Sequence, residues 1–120
     1  MTRELFAKSE VIKASEDLVM NAFEQAPKVT SKVAYEERRI FTIIALAKAT
    51  YEKTDGGTFT IVEALTKDGY IVTFSEAYGK TLVDLMDKVI SCELYTTRFG
   101  GSAVKPAIKR DPVNTKLLME

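Results

Sequence analysis

The chain contains no histidine. That absence excludes His-based acid–base catalysis, Ser–His triads and zinc sites with His ligands. Cysteine is nearly absent as well. The single thiol, Cys92, excludes an internal disulfide scaffold and agrees with a reducing compartment. An excess of charge is missing too: 17 Lys and Arg balance 17 Asp and Glu. Overall basicity therefore argues for nothing, and a nucleic-acid partner would need local clustering of cations. No run approaches the roughly 20 apolar residues of a membrane span. No apolar core of about 7–15 residues stands near the start, as a signal peptide has. A cytoplasmic protein with no membrane contact is expected.

Catalytic constellations are also lacking. Gly56-Gly57 and Gly100-Gly101 do not have the spacing of a phosphate loop. Gly79-Lys80-Thr81 matches only the end of that motif, without the earlier glycine. Asp84 and Asp87, at i and i+3, suit a solvated helix face better than a metal site, which needs more converging acids. Cys92 has no base to activate it. The expectation is no enzyme, no cofactor and no metal.

What is present is an ordinary globular composition, 46% apolar in 120 residues. That length fits one domain, and such a chain buries roughly two-thirds of its surface on folding. Its centre is 58–90. Residues 58–65, T-F-T-I-V-E-A-L, suit a pleated surface. Asp68-Gly69 then supplies the positive φ angles of a tight hairpin turn, and a strand over 70–74 runs back. From Tyr78 the period changes. Leu82, Leu85, Met86 and Val89 follow helical spacing, so a helix is expected over 78–90.

Around this centre the chain reads as follows. Val11, Ala14, Leu18, Val19, Ala22 and Phe23 make a helical stripe from about Ser9 to Pro27, an N-terminal helical extension over 1–30. A packed stripe implies a monomer and an exposed one a homodimer. Val29, Ser31 and Val33 alternate weakly, as in a short strand. Clustered Ile, Phe and Thr favour a strand over 38–51, with a turn at 53–57. Residues 92–99 read as a strand again, broken by Gly100-Gly101-Ser102. A basic loop follows over 103–113, with Pro106 and Pro112, before a weak last strand over 114–120. A mainly β (α+β) fold follows. Its most economical form is a five-stranded antiparallel OB-fold barrel, with a helix between strands three and four and an N-terminal helix.

Binding has better support than catalysis. From Leu94 to Arg110 there is no acidic residue, while Arg98, Lys105, Lys109 and Arg110 are basic. Tyr95 and Phe99 lie among them. Residues 51–74 carry Tyr51, Phe59, Tyr70 and Phe74. Basic side chains that follow phosphates and flat rings that stack on bases are what single-stranded nucleic acid requires. Alternate strand residues point inward, so about half of these rings belong to a core.

Residues 40–99, half the chain, resemble the small OB-fold single-stranded-DNA-binding proteins of tailed phages that infect Gram-positive hosts. The likeness lies in the apolar first strand, the glycine loop, Thr58-Phe59-Thr60-Ile61, the Asp68-Gly69 turn and Thr73-Phe74-Ser75. A helix, a strand and the Gly100-Gly101-Ser102 and Lys105 stretch complete it. The resemblance implies sequence-independent binding and protection of single-stranded DNA during phage DNA replication, with replication proteins as further partners. The competing expectation is a phage-type interaction protein that inhibits a host or defence protein, or sequesters a nucleotide signal.

Overall fold

A computed structural model describes residues 1–108. In chain order its elements are β1 (Thr2–Lys8), α1 (Glu16–Gln25), β2 (Lys28–Thr30), α2 (Ser31–Glu36), β3 (Phe41–Glu52), β4 (Thr58–Thr66) and β5 (Ile71–Ser75). A 3-10 turn (Glu76–Tyr78), α3 (Gly79–Asp84), β6 (Val89–Thr96) and β7 (Ser102–Ile108) follow. The fold is mainly β, a mixed sheet curled into a half-barrel. No helix among the described residues is long and apolar enough to cross a membrane.

β3 is the spine. One of its edges pairs with β4 from Ile43 to Glu52. The other pairs first with β6, at Phe41 and Thr42, and then with β1, from Ala45 to Thr50. An irregularity between Ile43 and Ala45 falls where the strand changes partners. Bulges of this kind bend a strand and increase its twist. Both faces of β3 are covered, so nearly every residue from Phe41 to Ala49 is buried. That explains why its pattern is a continuous apolar run with no clear period.

The concave side holds Phe41, Ile43, Leu46, Val62, Val72, Phe74, Leu82, Leu85 and Ile90. The convex side carries Ala45, Ala47, Leu65 and Ile71, on which α1 lays Val19 and Phe23. α1 starts where Ser15 accepts a hydrogen bond from the Leu18 N–H, and Glu16 and Asp17 suit the positive end of its dipole.

Several expectations need correction. Among the described residues the sheet has seven strands, not five, and it is not an antiparallel barrel. β2 pairs with β5 in parallel, Val29 beside Val72. α2 packs on β5, β6 and β7 and so fills the space between the two ends of the half-barrel. The N-terminal helix covers only 16–25, because 2–8 form a strand with alternating burial. Ser9 is fixed outside that helix by its N–H bond to the Ile44 carbonyl and its hydroxyl bond to Asp87. Of the expected stripe, Val11 and Leu18 are exposed. The helix expected over 78–90 is α3, which stops at Asp84. Asp87 takes a left-handed φ of 64° and donates its N–H to Ile43, after which the chain turns into β6. The expected basic loop over 103–113 is, to Ile108, the edge strand β7. Pro106 is tolerated there opposite Cys92. Lys109, Arg110 and the expected last strand lie outside the described residues.

The turns also differ in detail. Among the described residues, all three β-hairpins close with a three-residue loop, bonded Lys53 to Gly57, Thr66 to Tyr70 and Thr97 to Gly101. The third loop position is glycine each time, at φ 88°, 91° and 83°. This is a type I turn followed by a left-handed residue, so at the tight turn expected for Asp68-Gly69 only Gly69 takes a positive φ.

Candidate nucleic-acid interface

The ten candidate residues divide into groups. Tyr95, Arg98, Phe99 and Lys105 share the β6–β7 hairpin. The Thr97–Gly101 loop is tight, so Arg98 and Phe99 occupy its two corner positions. Phe99 is 83% exposed. The Arg98 guanidinium lies over its ring, 4.8 Å from the centroid. One step inward, the Lys105 ammonium lies 5.5 Å from the Tyr95 ring centroid. Glu93 sits opposite Lys105 in register, with 3.9 Å between the charges. The Tyr95 hydroxyl meets that of Tyr78 at 2.6 Å. Burial, and then that hydroxyl, push the Tyr78 phenol up to about 12. An open cleft of about 540 Å³ lies alongside, between Tyr78, Thr81, Glu93 and Lys105.

Tyr51 and Phe59 form a second group. They are directly opposed on β3 and β4, and their rings stack at 5.3 Å. Lys28 donates to the Tyr51 hydroxyl at 2.7 Å. That bond raises the Lys28 pKa, burial opposes the rise, and Glu63 adds to it. The pair lies at the margin of the convex face. Farther along that face α1 covers the strands, so a continuous track across 51–74 is interrupted.

The remaining rings are elsewhere. Phe74 is in the concave core, 3% exposed, against Phe41. Tyr70 is half-buried beneath the Arg39 guanidinium, 4.5 Å from its centroid. It stands beyond the far end of β4 from Phe59, on the order of 23 Å away along the strand. Lys109 and Arg110 are not among the described residues. Cys92 is buried against the core, and burial pushes its thiol up to about 11, an inert state near neutral pH. No cluster of three potential metal-ligating side chains occurs among the described residues.

Sequence reasoning passed over Arg3, Glu63, Lys28, Arg39 and Tyr78. Glu63 carried a usable signal: a lone carboxylate inside an otherwise apolar strand requires a partner. It is fully buried, with Arg3 Nε at 2.6 Å and Lys28 Nζ at 3.2 Å. Comparison with protein-family models, curated proteins and solved structures finds no match to this chain.

Proposed function

We propose that this protein binds single-stranded DNA without reading its sequence and without chemical turnover. The observation that carries this reading is the β6–β7 hairpin. There, two aromatic rings each stand beside a cation: Phe99 with Arg98, and Tyr95 with Lys105. A large ring held in water at the tip of a rigid three-residue turn gains nothing for the fold. It gains much from a base laid on its face, about 1–3 kcal/mol per stacked base. The cations beside it reach the phosphates that flank such a base.

The stacked Tyr51–Phe59 pair, with Lys28, is a second patch at the end of another hairpin. Balanced net charge removes long-range attraction, so affinity depends on local contacts. Arg98 and Lys105 alone imply a slope of log affinity against log salt near about −1.4, by the single-strand value of about 0.7 per phosphate.

Anisotropy titration of a labelled oligothymidylate at low and high salt tests this. Phe99→Ala should weaken binding roughly 5- to 150-fold, with an unchanged melting curve. Absence of binding at micromolar protein and low salt would refute the reading. Leu94 and Ile108, about half exposed on the same hairpin, favour a second reading, capture of a protein partner by the β7 edge. That alternative predicts a stoichiometric complex and no dependence on oligonucleotide length.

A further inference from the structure

The segment after α2 leaves an arginine in an unusual place. Arg39 N–H bonds to the Ala34 carbonyl and Arg38 N–H to that of Tyr35. These are the two bonds of a Schellman cap, whose left-handed position normally holds glycine. Here that position is Arg38, at φ 52°. A side chain there costs roughly 1 kcal/mol or more against glycine. The cap closes equally well with glycine, so backbone geometry gives no reason for the arginine.

The neighbouring residue adds an independent observation. Arg39 lies over the Tyr70 ring, and its Nη2 meets the Glu37 carboxylate. Its Nη1 is buried and has no acceptor among the described residues. A buried guanidinium N–H without an acceptor is costly. Arg39 and Arg38 both line a cleft of about 170 Å³, together with Tyr35, Ser91 and Cys92. Arg38 makes no ion pair among the described residues. The cleft is smaller than the roughly 300 Å³ that encloses a drug-sized ligand, so it suits a single small group. Ser91 and Tyr35 bring hydroxyls, and the Cys92 thiol is neutral near pH 7 and does not repel an anion.

We propose that this cleft is a phosphate-monoester site, in which the Arg39 and Arg38 guanidinium groups take the phosphate oxygens. Two sources share that chemistry: the terminal phosphate of a nucleic-acid strand and a free mononucleotide. In either case the nucleoside remains outside the cleft. The site stands independently of strand binding by the β6–β7 hairpin, because inorganic phosphate alone probes it.

The experiment is amide NMR titration with inorganic phosphate, thymidine monophosphate and thymidine. Phosphate and the monophosphate should shift the amides of Arg38, Arg39, Ser91 and Cys92 saturably, and thymidine should not. Arg39→Met should weaken binding roughly tenfold or more. Arg38→Gly is the discriminating variant. It relieves the left-handed strain, so the fold becomes more stable while phosphate affinity falls severalfold. A purely structural role for Arg38 leaves affinity unchanged and overturns the proposal. So do shifts spread evenly over all lysines and arginines, or no shift at all. Tighter binding of a 5′-phosphorylated than a 5′-hydroxyl oligothymidylate supports the strand-end source. Equal binding of those two, with the monophosphate still bound, supports the free-nucleotide source.

Discussion

Replacing Arg3 by methionine tests how β1 is held. Arg3 lies on the convex side of β1, directly opposite Ala49, and its guanidinium is almost fully buried. It donates to Glu63 through Nε at 2.6 Å and packs 5.8 Å from the Phe23 ring centroid. Glu63 has no exposure, so losing Arg3 strands a carboxylate inside the protein. Removing one member of a buried pair typically costs about 3–5 kcal/mol. Lys28 remains 3.2 Å from the other oxygen, and at 41% exposure it offsets part of the loss. Methionine also keeps the packing of the arginine stem. The expected cost is therefore about 2–3 kcal/mol, a large share of the roughly 5–15 kcal/mol total for a domain. With a urea slope of about 1–3 kcal/mol/M, the midpoint drops by about 0.7–3 M. Glu63→Met should cost more, because it strands Arg3, which is more buried than Lys28. The double variant removes both buried charges and lets Lys28 turn to water. Its loss should be at least about 2 kcal/mol smaller than the sum of the single losses. Urea unfolding followed by circular dichroism reads all four proteins. Additivity within about 0.5 kcal/mol would show that Arg3 and Glu63 do not act as a unit, and the account of β1 would fail.

Two more outcomes follow from the packing and the phenols. Phe23→Ala should cost about 3–5 kcal/mol in urea unfolding, since the ring is fully buried between α1 and the sheet, whereas Leu18→Ala on the same helix should stay within about 0.5 kcal/mol. Stability should also fall as pH rises from 10 to 12: an unfolded phenol loses its proton near 10.0, folded Tyr78 keeps it to about 12, and over that interval the unfolded chain binds fewer protons. Lys28 acts in the same sense, its contribution being complete below 10.5 and lost as pH passes its raised folded value. In Tyr78→Phe the alkaline decline should shrink, and tyrosinate absorbance should lose its late-ionising component; an unchanged decline would refute the Tyr78–Tyr95 account.

The middle of the fold was legible because its signals are local. Residues 58–65, a turn at Asp68-Gly69 and a strand after it need only β-branched residues and a glycine that accepts positive φ. The β3–β4–β5 order and the following short helix come directly from them. The closure of the sheet was not legible, because it depends on pairings between distant segments. Nothing local in 2–8 says that Leu5 will sit beside Ala47, and Val29 beside Val72 is a parallel pair that no turn announces. The helix expected to reach Ile90 failed for a similar reason. Val89 fits the helical stripe by spacing, but pairing of 89–90 with β3 prevailed over that local preference. Among the rings, alternation rightly warned that about half would be core, yet it could not choose which. Phe74 is buried because β5 turns Val72 and Phe74 inward, a choice made by the register of β5 on β4.

That register also decides where a ligand has room. Without a covering element, the convex face of β3, β4 and β5 would be open to a ligand. Here α1 lies on that face, anchored by Val19 and Phe23, and α2 stands between the two ends of the sheet. Both additions come from the first 36 residues. Large parts of the convex face are thereby removed from use, while some exposed aromatic rings stand at hairpin ends. Phe99 with Arg98 and Tyr51 with Phe59 occupy two such ends, each where a three-residue loop holds its strands in fixed register. A flat groove would let a strand slide, whereas separate rigid tips would hold it at discrete points. Binding by such tips would grow in steps as an oligonucleotide becomes long enough to reach from one tip to the next. Affinity against oligothymidylate length would then show a plateau between two rises. Deleting the Tyr51–Phe59 stack should remove the second rise and leave the first.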